Sequence, residues 1–126
     1  MIDIDKLLSS ISYERTGLRI ILQEYYDEFN QAHKKIGILY SSDELDDLAN
    51  YLYQLRTALI HIEEYDSTEK LIAMERICRR EEFPTPNQVI TLLTSVFTTN
   101  KQIESTLTEL RFKESKRKSN YAGQFH

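Results

Sequence analysis

Between Ile4 and Leu39 an apolar residue returns every three or four positions almost without a gap, and this repeat restricts the possible folds more than any other feature of the chain. One seam position takes Leu8, Arg15, Leu22, Phe29 and Ile36, and the position three residues later takes Ile11, Leu18, Tyr25, Ala32 and Leu39. Spacing of this kind gathers side chains onto one stripe of a helix, and a stripe this wide has to be buried by other helices. Only Arg15 interrupts it. The spacing predicts a first helix from Ile4, capped by Asp3, to about Leu39, with Gly17 inside it marking a bend or a close approach and Gly37 marking its end.

The same logic carries along the chain. Leu45, Leu48, Leu52, Leu55, Leu59 and Ile62 alternate by three and four, which predicts a second helix, with a start signal in Ser41-Ser42-Asp43-Glu44. Asp66-Ser67-Thr68-Glu69 should cap a shorter third helix through Leu71, Met74, Ile77 and Cys78 to about Glu82. Thr85-Pro86-Asn87-Gln88 combines capping-box spacing with proline at the first helical position. It opens a long fourth helix with Val89, Val96, Ile103 and Leu110 on one seam position and Leu93, Asn100 and Leu107 on the other. That helix is rich in Thr and Ser, mediocre helix formers, so packing must hold it.

Three glycines and two prolines in 126 residues are too few for the turns of an all-β domain and suit a few long helices. The expected fold is all-α: an elongated up-down helical bundle of three long helices and one short helix with coiled-coil-like heptad packing. One domain is expected over residues 1–116, followed by a basic, disordered C-terminal tail over 117–126. With 40% apolar and 29% charged residues the composition is that of a folded chain.

Charge is unevenly spread. The net charge is −4, yet Arg111, Lys113, Lys116, Arg117 and Lys118 against Glu114 alone give the last sixteen residues +4, leaving −8 on residues 1–110. An acidic body repels nucleic acid, so any phosphate contact is expected from those five basic residues. A single cysteine, Cys78, excludes an internal disulfide framework and a cysteine-based zinc site, and it reads as a small core residue. The start lacks a basic n-region and an apolar h-region, and no run approaches the length of a membrane span. A cytoplasmic protein with no cofactor is expected.

No catalytic constellation emerges. His33, His61 and His126 lie far apart, with none of the Glu-x-x-His pairs of a helical di-metal site, and the three glycines make no phosphate loop. One string, Arg56-Thr57-Ala58-Leu59-Ile60-His61, resembles the Arg-x4-His motif of the helical HEPN ribonucleases. That resemblance implies RNA cleavage through Arg56 and His61. The chain has Thr57 where the motif commonly has Asn or Asp, and the two side chains leave a helix about 140° apart.

The leading expectation is therefore a non-enzymatic protein-protein interaction module: an adaptor, chaperone, inhibitor or immunity-type factor binding another protein, or a second copy of itself, through a helical face. The alternative is an accessory nucleic-acid binder using the basic tail. Candidate partner-binding residues are the two polar seam residues, Arg15 and Asn100, and two of the eight tyrosines, Tyr51 and Tyr65, which flank the second stripe. Each also has a plain structural role open to it: a snorkelling side chain for Arg15, a satisfied core amide for Asn100, and the wet rim of the core for the tyrosines.

Overall fold

The second stripe folds as its spacing requires, while the first helix is broken twice. The computed structural model describes the backbone of residues 1–123 and the side chains of residues 1–115. Its elements are α1 (Ile4–Ser10), α2 (Arg15–Phe29), α3 (Ala32–Ser41), α4 (Leu45–His61), α5 (Asp66–Arg79) and α6 (Pro86–Gly123). There is no strand among the described residues.

The columns pack in a closed cycle. The broken column α2–α3 lies against α4 and α6, α4 lies against α5, and α5 lies against α6. Neighbours run antiparallel, as cross-helix pairs show. Arg56 meets Glu75 while Asn50 meets Arg79. Ser67 meets Thr99 while Lys70 meets Ser95. Arg19 meets Glu114 while Tyr25 meets Asn100. The expected up-down bundle is thus present, with its first column in pieces. Leu48, Leu52, Leu55, Leu59 and Ile62 of the α4 stripe are buried, as are Val89, Val96, Ile103 and Leu107 of α6. No helix among the described residues is long and apolar enough to cross a membrane.

The first break replaces the single helix expected from Ile4 to Leu39. After α1 the chain turns through Ser12 and Tyr13, both at positive φ (57° and 60°). The Tyr13 N–H bonds the Leu8 carbonyl at 2.8 Å and the Ser12 N–H bonds that of Ser9 at 3.1 Å. These paired bonds are a Schellman ending, which satisfies carbonyls the helix leaves open. Glu14 then caps α2 by accepting from the Thr16 N–H at 3.1 Å. Gly17 serves this cap: a Cβ there would stand 3.2 Å from Glu14 Cγ. Its close neighbour is a side chain of the next turn back, not the backbone of another helix. The break also turns the seam, so Leu7 is buried while Leu8 and Ile11 are only half-buried, and Arg15 becomes the exposed first residue of α2.

The second break, at Asn30–Gln31, comes from side chains entering the helical hydrogen-bond ladder. The Asn30 N–H and its Nδ2 both donate to the Tyr26 carbonyl. One residue before Asn30, the Phe29 carbonyl accepts from Asn100 Nδ2 of α6 at 2.8 Å. Helix α3 then runs through Gly37 to Ser41, so Gly37 is an interior helical residue and not an end signal.

Other boundaries differ from expectation for a common reason. Helices α3, α4 and α5 also end in Schellman pairs, with Asp43, Glu63 and Glu81 at positive φ. Left-handed backbone costs a residue with a Cβ about 1 kcal/mol more than glycine, so such ends carry no glycine flag. Asp43 is therefore occupied as the end of α3, and neither it nor Ser41 caps α4, whose N-cap Glu44 makes no side-chain bond. The cap of α5 comes from Glu64, upstream of the expected Asp66-Ser67 group, through bonds to the N–H groups of Asp66 at 3.0 Å and Ser67 at 3.1 Å. The caps at Asp3 and at Thr85–Gln88 form as their spacing predicts.

At the other end of the sequence, α6 continues to Gly123. The expected disordered tail falls on residues whose side chains, and for 124–126 whose backbone, lie outside the described residues.

Candidate interaction surface

Of the four candidate partner residues, Asn100 and Tyr51 lie against one buried node and Arg15 and Tyr65 do not. Asn100 is buried. Its Oδ1 accepts from the Tyr25 hydroxyl at 2.7 Å while its Nδ2 serves the Phe29 carbonyl. The amide thereby seals the α2–α3 break and takes the role of a satisfied core amide. The rings of Tyr25 and Tyr51 lie 5.5 and 6.1 Å from that of Phe29. Burial pushes both phenols up, Tyr51 to about 12 with a contribution from Glu28, and Tyr25 further. Arg15 is exposed and makes no ion pair among the described residues, so it shares no core with Asn100. Tyr65 is exposed in the α4–α5 turn.

Arg56 and His61, the ribonuclease-like pair, go different ways. Arg56 Nε donates to Glu75 at 2.8 Å, and its guanidinium lies 4.6 Å from the centre of the Tyr53 ring. His61 is exposed at the end of α4, and no hydrogen bond joins the two. In the basic segment, Arg111 hydrogen-bonds Gln23 and Lys113 pairs with Glu109 at 3.0 Å. The side chains of Lys116, Arg117 and Lys118 lie outside the described residues.

The outward side of α6 is apolar at intervals. Ile90, Phe97 and Phe112 are 60%, 43% and 66% exposed, and at 100° per residue they fall within about 60° of one another on the helix surface. Phe97 is held from two sides, by the edge of the His33 ring at 5.1 Å between centroids and by Lys101 Nζ at 5.5 Å. His33 Nδ1 is buried without a hydrogen-bond partner, and desolvation followed by Lys34 and Lys101 lowers its pKa.

Four hydroxyls of α6 are satisfied within the helix. Thr91, Thr94, Thr106 and Thr108 each donate to the carbonyl four residues back. Ser67, Ser95 and Thr99 share hydrogen bonds at the α5–α6 crossing, with Lys70 Nζ 3.5 Å from Ser95 Oγ. An open groove of about 560 Å³ runs above them.

Glu75, Arg76, Arg79, Arg80, Glu81 and Glu82 form a run of mixed charge along the sequence, and the fold sorts them. Glu75 is drawn inward to 8% exposure, with one carboxylate oxygen taken by Arg56 and the other by Arg79 at 3.2 Å. Arg79 also holds Asn50 Oδ1 with both terminal nitrogens. An open groove of about 600 Å³ between α4 and α5 is left lined by Arg56, Ile72, Glu75, Arg76, Arg79 and Arg80. The sequence carries a signal for it: Glu75 occupies the stripe Leu71, Glu75, Cys78, where a carboxylate must find a cation.

Among the described residues no group of three or more His, Cys, Asp or Glu side chains could hold a metal ion. Cys78 is buried, and burial raises its thiol pKa. No protein-family model, no curated protein and no solved structure matches the chain.

Proposed function

We propose that this protein is a non-enzymatic protein-protein interaction module, of the adaptor, chaperone, inhibitor or immunity type, which docks its partner through the outward face of α6. The observation supporting this reading is the exposed stripe of Ile90, Phe97 and Phe112 on one side of a helix whose other side buries Val89, Leu92, Val96, Ile103 and Leu107 in the bundle. Apolar side chains recurring at one face of a helix are the usual anchors for helix-mediated docking, and a ring fixed by its neighbours loses little rotamer freedom when covered. The partner is another protein or a second copy of the chain. A lone, buried Cys78 suits a reducing, cytoplasmic setting.

Replacing Ile90 by Lys and Phe97 by Glu tests it, since both are exposed and neither belongs to the buried core. Sedimentation and affinity capture from the native cell are expected to show a complex with the unaltered chain and its loss with the double variant. A monomer without a partner, or a complex indifferent to the double variant, would refute docking through α6.

A further inference from the structure

The α4–α5 groove concentrates cations on an acidic protein. Its lining holds Arg56, Arg76, Arg79 and Arg80 against Glu75, a local charge of +3, whereas residues 1–110 together carry −8. Burying Glu75 has two effects. It fixes the Arg56 and Arg79 guanidiniums in place, and it withdraws the carboxylate of the groove's own lining from the surface. Arg76 is exposed with no ion pair among the described residues, and Arg80 has only a long contact of 3.9 Å to the equally exposed Glu82.

We propose that this groove is a second binding site, separate from the α6 stripe, which takes an acidic peptide segment of a protein partner. Three observations support that occupant. Guanidiniums are strong carboxylate binders, and the groove already holds one carboxylate, Glu75, with a single nitrogen each from Arg56 and Arg79. Ile72 in its lining and the half-exposed Tyr53 beside Arg56 add apolar surface for the stems of a peptide, which a bare anion would not use. The surrounding negative charge opposes a long polyanion, since nucleic acid would extend beyond the groove onto the acidic body, while a short segment stays within it.

The test is fluorescence anisotropy of a labelled oligoglutamate peptide with the full chain, against an oligolysine peptide and a single-stranded oligonucleotide of matched charge. The comparison protein is Arg76→Glu/Arg80→Glu, both exposed positions, and a retained thermal melt verifies its fold. Oligoglutamate is expected to bind, to weaken by about tenfold or more in the double variant, and to weaken further as salt rises from about 50 to about 300 mM. Oligolysine is expected not to bind. Absence of oligoglutamate binding, binding indifferent to the double variant, or tighter oligonucleotide binding with the same sensitivity overturns the assignment. The double variant leaves Ile90 and Phe97 in place, so docking through α6 succeeds or fails independently.

Discussion

Asn100→Ala should be among the most damaging single changes in the protein, and its cost should depend on Tyr25. The substitution removes the donor from the Phe29 carbonyl at the α2–α3 break and the acceptor from the Tyr25 hydroxyl, in a site where Asn100 is 5% exposed. Each buried polar group left without a partner costs about 1–3 kcal/mol, and the lost side chain adds a small cavity. A total of about 3–4 kcal/mol follows. With an unfolding entropy of about 2.1 cal/mol/K per residue, 126 residues give about 0.26 kcal/mol/K, so Tm should fall by about 11–15 °C. Tyr25→Phe alone leaves one amide oxygen without its donor and should cost about 1–1.5 kcal/mol. In the Asn100→Ala background the same change removes a stranded hydroxyl and should be close to neutral, giving a coupling energy of about 1 kcal/mol or more. Urea unfolding of the four proteins, followed by helical circular dichroism, measures the cycle. Additive effects, within about 0.3 kcal/mol, or a cost for Asn100→Ala below about 1 kcal/mol, would refute the claim that this amide holds the break.

Gly37→Ala should stabilise the protein by about 1 kcal/mol, or about 4 °C in Tm, because Gly37 is inside α3 and a Cβ there meets nothing within 4 Å. Gly17→Ala, with Glu14 Cγ at 3.2 Å, should gain clearly less, and equal effects in thermal melts would contradict this difference. Glu81→Gly should stabilise by about 0.5–1 kcal/mol in urea unfolding, because it relieves a positive φ of 60° at an exposed Schellman end. Tyr51 and Tyr25 have folded-state pKa values above the unfolded value near 10, so the stability tied to their neutral forms is complete below pH 10 and is lost as pH rises above it. Tyrosinate absorbance should therefore show Tyr25 and Tyr51 among the late-titrating tyrosines, with Tyr26 also raised beside Glu104, and the ionisation of the buried pair should coincide with loss of helix; eight tyrosines titrating together near pH 10 would contradict their burial.

What could be read in advance, and what could not, divides along a physical line. The stripe from Leu45 to Ile62 was legible because apolar spacing alone decides which side of a helix is buried. The start of α6 was legible because Thr85, Pro86 and Gln88 act on adjacent backbone groups. The break after α1 was not, because the residues that turn left-handed there are Ser12 and Tyr13, with no glycine or proline to mark them. Asn100 was visible as a polar residue on a seam. Its task depends on a carbonyl 71 positions away, at a break whose existence the local sequence does not announce. Arg15 occupied a seam position only on the assumption of an unbroken helix. The arginine groove needed the pairing of Arg56 with Glu75 across two helices, which turns a mixed run of charges into a buried acid beneath a basic surface.

Docking through α6 is tested most directly by contact in the cell. A photo-crosslinking amino acid placed at Phe97, which is 43% exposed, should form a covalent adduct with one defined protein or with a second copy of the chain. The same group at Glu24, an exposed residue of α2, should form none. No adduct at Phe97, or the same adducts at both positions, would contradict the reading of α6 as a docking face.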